Sequence, residues 1–205
     1  TRAGDLSGEM RVSPTDQFAR LLMNRAIDVA IGSHQIEQPA ELTASPFLRY
    51  QLVPLLSIEH RLAGRRVRPD QVGQATWLVG PAATDVGSAS WRLLKRYQVP
   101  EGNQQVFLSN AAALGEARAG RGIALCPANR VQAECADGRL VQLDAPGALA
   151  DSTWATFTLG GPGANPTTHE FVRFAQTPRA IQSMLAGSGV EIARFKPQVH
   201  VTLWS

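Results

Sequence analysis

The sequence predicts an α/β protein of two lobes, with mixed but mostly parallel sheets and helices on both faces. Three short apolar runs carry this prediction, because a run that ends in Gly or Pro without alternation is typical of a strand covered on both faces. These runs are Ile27–Gly32, Thr76–Pro81 and Ile123–Pro127. Two longer β-rich segments, Phe47–Ile58 and Ser152–Leu159, flank the central block, and we expect them to cross between the lobes.

The first elements precede these runs. Alternating apolar and polar residues predict a half-buried strand over Gly8–Ser13. Asp16 is a favourable N-cap residue, and it precedes an amphipathic segment that predicts a helix over Gln17–Arg25. Since this helix leads directly into Ile27–Gly32, the two form an α/β unit, and the strand is predicted to be buried and parallel to its neighbours.

The first crossing segment contains Pro54, which cannot donate to a strand ladder. We therefore expect Phe47–Ile58 to change partners midway along its length. The stretch Arg61–Gln74 is polar and contains Pro69, which predicts a connection with a short helix.

The central block continues as alternating helices and strands. Its helices are predicted over 88–97, from Ser109 or Asn110 to Ala119, and over 129–136, and its strands over 105–108 and 140–143. Gly120 and Gly122 close the second of these helices. After the second crossing segment, a helix is predicted to begin at Thr167 and to run towards Leu185, with a break or kink at Thr177–Pro178.

This element order divides the chain. Residues 1–51 and 144–186 are predicted to form lobe I, residues 52–143 lobe II, and residues 187–205 a C-terminal extension. In open α/β sheets a ligand lies at the carboxyl ends of strands, against helix N-termini. We expect a binding site of that kind here.

Composition favours a globular protein, with 44% hydrophobic and 18% charged residues. The formal net charge is +3, and the two densest basic groups, 61–68 and 92–96, lack the interleaved aromatics of a nucleic-acid platform. Cys126 and Cys135 stand nine apart, which fits no zinc pattern, so we expect reduced thiols. No apolar run approaches the roughly 20 residues of a membrane helix, and no signal peptide pattern opens the chain, so a cytoplasmic location is expected.

Five short segments, in a consistent order, carry a family resemblance. The first, Leu21–Gly32 (LLMNRAIDVAIG), is similar to a leucine-rich helix followed by Asp-Val-Ala-Ile. The second, Leu52–Val67 (LVPLLSIEHRLAGRRV), is similar to a strand followed by a His-Pro-Leu-Ala turn, with Arg61 where Pro is usual. The others are Thr76–Pro81 (TWLVGP), Ser109–Pro127 (SNAAALGEARAGRGIALCP) and Asp137–Leu143 (DGRLVQL). Together they resemble the effector-binding domain of LysR-type transcriptional regulators.

The resemblance implies a periplasmic-binding-protein-like fold of type II, a small-molecule effector bound between the lobes, and assembly as a homodimer or homotetramer. Regulators of this family begin with a winged helix-turn-helix and a linker helix. Neither pattern occurs here, so DNA contact is expected only through an N-terminal domain absent from this sequence. One β-α unit of the effector domain also lacks a counterpart before Leu21, where Gly8–Thr15 is similar to either the first or the second strand of the family.

Small and polar residues lie where strands end and helices begin, and they are the candidate ligand contacts. Hydroxyls and free backbone N–H groups at such positions suit an anion, a carboxylate or a polar metabolite. The candidates are Ser13, Thr15, Gly32, Ser33, Gly80, Pro81, Ala82, Thr84, Ser109 and Asn110. Each alone also fits a helix cap, and their convergence on one cleft is what the resemblance implies. Since few of them are charged, the effector is expected to be small and neutral or singly anionic.

The sequence shows no catalytic or metal-binding constellation. The four histidines have no partner at metal-ligand or triad spacing, and the G-x-S-x-G motif is absent. We therefore expect a sensing domain rather than an enzyme, with no cofactor, no metal and no membrane contact. Three alternatives stay open: a solute-binding protein of the same architecture, a small enzyme of that architecture, and a regulator that binds nothing.

Overall fold

The computed structural model describes residues 9, 13, 17–34, 39–160 and 166–186. The strands are β1 (Ala30–Ser33), β2 (Leu42–Ser57), β3 (Trp77–Val79), β4 (Gln104–Val106), β5 (Ile123–Pro127), β6 (Leu140–Gln142) and β7 (Ala150–Leu159). The helices are α1 (Phe18–Met23), α2 (Pro69–Gly73), α3 (Ala89–Arg96), α4 (Asn110–Arg118), α5 (Val131–Glu134), α6 (Pro166–Ala175) and α7 (Pro178–Ala186). The strands form one mixed sheet in the order β1-β7-β2-β5-β3-β4, with β6 pairing to β2.

Two predicted segments fall outside these residues. They are the strand over Gly8–Ser13, of which only Glu9 and Ser13 are described, and the C-terminal extension over 187–205.

Strand β2 links the two ends of the sheet. It pairs antiparallel with β7 from Leu42 to Leu52, and then with β5 from Leu52 to Leu56. The exchange of partners at Leu52 confirms that this segment changes neighbours midway, two residues before Pro54. A register shift between Pro46 and Leu48 re-aims the side chains of β2, so that its two halves present different faces.

The parallel pairings lie in the central block. Strand β3 runs parallel to both β4 and β5, whereas the four pairings that involve β2 or β7 are antiparallel. Among the described strands, the prediction of mostly parallel sheets therefore holds only for β3, β4 and β5. It is wrong for β1, which pairs antiparallel with β7 and alternates between buried and half-buried residues. The reason is that β7 is a return strand, which runs opposite to both β1 and β2.

Helices cover both faces of the central block. On one face, Trp77 and Val79 of β3 pack with Leu93 and Leu94 of α3 and with Val72 of α2. On the other face, Leu78 packs with Leu114 and Ala117 of α4 and with Ala124 and Cys126 of β5. This alternation along three-residue β3 follows from the period of two in a strand, and it confirms the prediction that helices lie on both faces.

A third cluster lies at the opposite end of the sheet. Phe18 and Leu22 of α1 pack on Ala30 of β1 and on Phe157 of β7, with the Phe18 and Phe157 ring centroids 6.4 Å apart. The helix begins at Phe18, so its N-cap position is Gln17, which makes no side-chain capping bond. Asp16, the predicted N-cap, lies outside the described residues, and the α-helix starts one residue later than predicted. The lobe limits at residues 51, 143 and 186 stay a prediction.

The predicted cap of α4 at Ser109 and the predicted break in the last helix are confirmed, whereas the other helix bounds differ from the prediction by one or two residues. Ser88 caps α3 by accepting a hydrogen bond from the Trp91 N–H, and Ser109 caps α4 by accepting one from the Ala112 N–H. The predicted break in the last helix separates α6 from α7, where the Thr177 hydroxyl donates to the Phe174 carbonyl.

An ionic network joins α4 to α5. The Glu134 carboxylate accepts hydrogen bonds from Arg118 and, at 3.0 Å, from Arg130, and its side chain is only 13% exposed. Burial alone would raise the pKa of Glu134, but the two guanidinium groups outweigh burial and hold that pKa below its usual value.

Alanine at two glycines, one inside α4 and one between α4 and β5, should change the free energy of unfolding in opposite directions. A Cβ atom at Gly122 would lie 2.5 Å from the Thr76 carbonyl oxygen, whereas a Cβ atom at Gly115 meets nothing within 4 Å. We expect Gly122→Ala to lower the free energy of unfolding by about 1–3 kcal/mol and Gly115→Ala to raise it by about 0.5–1 kcal/mol. Urea unfolding followed by circular dichroism measures both, and a loss of stability in both variants would contradict the packing described for α4.

The Glu134 network should make stability depend on pH in a defined direction. Because the pKa of Glu134 is lower in the folded chain, its contribution is complete above the usual value of 4.5 and is lost as the pH falls through the folded-state pKa. We expect Glu134→Gln to cost about 1–3 kcal/mol at neutral pH and progressively less in acid. The matched control is Glu116→Gln, whose partner Arg121 is 62% exposed, so that its effect should be small at every pH. Equal losses in the two variants would contradict the assignment.

Candidate functional site

The residues predicted at the ends of β3 and β4 come together in the structure. Gly80 follows β3 and is buried, Pro81–Ala83 forms a short 3-10 helix, and Asn110 begins α4. A Cβ atom at Gly80 would lie 2.1 Å from Asn110 Oδ1, so only a glycine leaves room for this amide. Gly80 and Asn110 are therefore in direct contact across the carboxyl end of β3.

The hydroxyls beside this contact are used in capping. Thr84 Oγ1 donates to the Pro81 carbonyl at 2.8 Å, and Ser109 Oγ accepts from the Ala112 N–H at 3.2 Å. Ser88 Oγ donates to the Ala82 carbonyl at 2.5 Å, which ties the 3-10 helix to the N-terminus of α3. These bonds account for the three hydroxyls by local structure alone, and they position Ala82, Thr84 and the start of α3 on one side of the sheet.

Gly32 and Ser33 at the end of β1 face opposite sides of the sheet, as successive strand residues do. Gly32 lies against α1, where a Cβ atom would come within 2.7 Å of Phe18 Cε2. Close packing of the helix on the strand therefore explains the glycine. Ser33 lies on the other face, where it is the direct cross-strand neighbour of Trp154 in β7.

Two serine hydroxyls on this second face have no hydrogen-bond partner. Ser33 Oγ and Ser152 Oγ are both buried, and within the described part of the chain no group donates to them or accepts from them. Ser152 is 2% exposed. A buried polar group without a partner costs about 1–3 kcal/mol, and proteins rarely retain one without a functional or solvent-related reason.

Arg92 connects the start of α3 to the crossing strand that carries Ser152. Its guanidinium donates to the Gly87 carbonyl at 2.6 Å and to the Asp151 carbonyl at 2.5 Å. The positive end of α3 and a guanidinium charge therefore lie beside the first residues of β7. Ala150 of β7 belongs to the same cluster as Leu93 and Leu94 of α3 and lies on the same strand face as Ser152, so α3 lies on the second face of β7.

An aromatic pair lies on the same face. The rings of Tyr50 in β2 and Trp154 in β7 meet edge to face, with centroids 6.0 Å apart and planes at 86°. Tyr50 is the direct cross-strand partner of Ser152. Both rings are partly exposed, so the aromatic surface next to the two serines is open to contact.

Several of these residues are absent from the sequence prediction. Ser152, Trp154, Tyr50 and Arg92 were not among the candidates, although Ser152 and Trp154 share one face of an alternating segment. A serine on the buried face of such a strand is the signal that could have pointed to Ser152. Among the predicted candidates, Ser13 is half-buried and lies in no helix or strand, and Thr15 lies outside the described residues; both stay predictions.

The environment of Cys126 lowers the reactivity of its thiol. Burial, reinforced by the nearby Glu134 charge, raises the pKa of the Cys126 thiol to about 12, which keeps it protonated and weakly nucleophilic at neutral pH. Across the described residues there is no cluster of three or more His, Cys, Asp or Glu side chains suited to a metal ion. In the same part of the chain, no helix has the length and hydropathy that a membrane span requires.

A surface depression of about 460 Å³ lies beside the connection from β6 to β7, lined by residues 142–145 and 147–149. It contains none of the predicted ligand contacts. Because a single stretch of chain lines it, it differs from a cleft formed by several strand ends, and we do not assign the ligand to it.

Sequence comparison identifies the family. The LysR substrate binding domain matches residues 1–178. An uncharacterized HTH-type transcriptional regulator of Mycobacterium tuberculosis is 38% identical over 208 residues, covering 100% of this chain and 65% of the regulator, and the same match occurs in strains CDC 1551 and H37Rv. The chain thus spans 65% of the length of these relatives, which is less than two thirds.

Solved structures agree on the fold. The regulatory domain of Synechocystis CcmR in complex with 2-PG has a TM-score of 0.62 at 24% identity, covering 82% of this chain and 81% of that domain. The MetR regulatory domain of N. meningitidis, a LysR family regulator, has a TM-score of 0.64 at 17% identity, covering 81% and 75%. The fold is the periplasmic-binding-protein-like α/β architecture of such domains. With a family match over residues 1–178 and this fold, the chain belongs to the LysR substrate-binding domain family.

Proposed function

We propose that this chain senses a small effector for a LysR-type transcriptional regulator, and that the effector binds at the carboxyl ends of β1 and β3. The observation that carries the proposal is the convergence of Gly80, Asn110 and the 3-10 helix with the start of α3, which Arg92 bridges to β7. Family membership supports a sensing role. The related CcmR regulatory domain in complex with 2-PG supports a small molecule as the effector.

In this proposal, ligand binding is transmitted through the hydrogen bonds that attach α3 to the connection before β7. Arg96 donates to the Gly147 and Leu149 carbonyls, and the Tyr97 hydroxyl donates to the Pro146 carbonyl at 2.9 Å. A ligand that shifts α3 would therefore move the connection that leads into β7. In this proposal the ligand binds one arrangement of α3 and β7 more tightly than the other and so shifts their populations.

The remaining parts of the proposal concern the whole regulator. DNA contact is made by a part of the regulator outside this chain, and the signal passes through a homodimer or homotetramer. A cytoplasmic location follows, because the DNA that a bacterial regulator controls lies there. Sedimentation velocity of the chain, with and without effector, measures the assembly.

Ligand binding should be visible as thermal stabilisation. Screening the chain against a broad panel of small metabolites, we expect at least one compound that raises the melting temperature by roughly 5–10 °C at a concentration of about 100 times its Kd. Failure of every compound would contradict the sensing function. Analysis of the same mixtures for products tests whether the bound compound is left unchanged, and turnover would favour an enzyme instead.

The contact between Gly80 and Asn110 should control this response. We expect Asn110→Ala to weaken binding about tenfold through loss of an amide hydrogen bond, and Gly80→Ala to do the same because its Cβ displaces the Asn110 amide. The matched control is Gln105→Ala, which removes an exposed amide from neighbouring β4 and should leave affinity unchanged. Isothermal titration with the compound found in the screen measures all three, and unchanged binding in Asn110→Ala would place the ligand elsewhere.

A further inference from the structure

Ser33 and Ser152 form a pair on one face of the crossing strands. In the β1–β7 register Ser33 lies opposite Trp154, and Ser152 precedes Trp154 by two positions, so both serines project to the same face as the indole. They are diagonal neighbours, which places their Cα atoms roughly 7–8 Å apart. Hydroxyls at that separation can converge on one small group placed between them.

The two serines differ from the hydroxyls around them. The hydroxyls of Thr84, Ser88 and Ser109 are satisfied by helix caps and turns. Thr156, further along the same face of β7, donates to the Ser45 carbonyl. Ser33 and Ser152 alone among these hydroxyls are buried without any partner in the described part of the chain. Local structure thus accounts for the first four hydroxyls and leaves the pair available to a ligand.

The charges near the pair favour an anion. The Arg92 guanidinium binds the carbonyl of Asp151, the residue before Ser152, and the positive end of α3 lies beside it. The opposing charge is the Asp151 carboxylate, which is exposed, points to the other face of β7 and accepts a hydrogen bond from Gln51 at 2.8 Å. Arg92 and the positive end of α3 therefore lie next to Ser152, whereas the Asp151 carboxylate lies on the other face of the strand.

The Tyr50–Trp154 pair offers a contact surface for the part of the ligand that carries the anion. Trp154 lies directly opposite Ser33 and two residues after Ser152 on the same face, and its ring meets that of Tyr50. A planar or aliphatic body attached to the anion would contact these rings, which supply apolar surface with a defined edge and face.

We propose that Ser33 and Ser152 anchor the carboxylate of a monocarboxylic acid effector, whose apolar or aromatic body packs against Trp154 and Tyr50. Each hydroxyl donates to one carboxylate oxygen, which satisfies both buried groups at once. This inference rests on the proposed sensing function and specifies the chemical class that the site selects.

The burial of both hydroxyls links binding to movement. Since Ser33 Oγ and Ser152 Oγ are inaccessible to solvent in this arrangement, a ligand reaches them only when the groups above them shift. The carboxylate then stabilises a different arrangement of the strands and α3, which is the requirement for a sensor.

The test compares acids with their uncharged analogues on the full chain. Benzoate, phenylacetate and hexanoate are titrated alongside benzamide, phenylacetamide and hexanamide, by thermal shift and isothermal titration calorimetry. We expect at least one acid to bind at least about tenfold more tightly than its amide. Ser33→Ala and Ser152→Ala should each weaken that acid about tenfold. In the absence of ligand, each variant should keep the wild-type melting temperature or raise it by about 2–4 °C, because an unsatisfied buried group is removed.

The matched control is Ser57→Ala. Its hydroxyl is 4% exposed but accepts a hydrogen bond from the Glu59 N–H, so the variant should melt lower and bind the acid with wild-type affinity. If Ser33→Ala and Ser152→Ala behave like Ser57→Ala, the hydroxyls hold structural water and the inference is overturned. If the broad panel yields a ligand but none of its binders is a monocarboxylate, the inference falls and the sensing function stands. A panel without any ligand overturns both.

Discussion

Backbone pairing along β2 is the constraint on which the rest of the structure depends. One strand of 16 residues bonds first to β7 and then to β5, so the cluster around Phe157 and the cluster around Trp77 belong to the same sheet. In the first half of β2, Leu42 and Ala44 pack in the cluster that contains α1. In the second half, Leu56 packs with α3, whereas Val53 and Leu55 pack with α4 on the other face. Everything placed on the second face, including Ser152 and the aromatic pair, inherits its position from that register.

The hydroxyl groups of the candidate site are of two kinds. Hydroxyls at helix starts, such as Ser88 and Ser109, stabilise the helices that they begin, and their bonds are complete without a ligand. The buried hydroxyls of Ser33 and Ser152 have no partner in the described part of the chain, which costs stability, and in our proposal a ligand supplies the missing partners. Unpaired buried hydroxyls lower the free energy of unfolding, and proteins commonly accept such a loss at functional sites.

The sequence predicted the features that depend on neighbours along the chain. The buried run Trp77–Val79, the cap at Ser109 and the break at Thr177 follow from local spacing and from the chemistry of single residues, and the structure contains all of them. Features that depend on distant pairing were missed. The direction of β1 is decided by β7, more than 100 residues later, and the isolation of the Ser152 hydroxyl is a property of packing in three dimensions. No periodicity in the sequence reports either one.

The attachment of α3 has a mechanical consequence. The connection into β7 is held at Pro146, Gly147, Leu149 and Asp151 by side chains of Tyr97, Arg96 and Arg92, all bonding to main-chain carbonyls. These bonds can break one at a time by rotation of the side chains, which costs less free energy than separating a strand from its paired neighbour. Loss of any one of these bonds would therefore loosen the attachment of α3 by a small step, without breaking the pairing between β2 and β7.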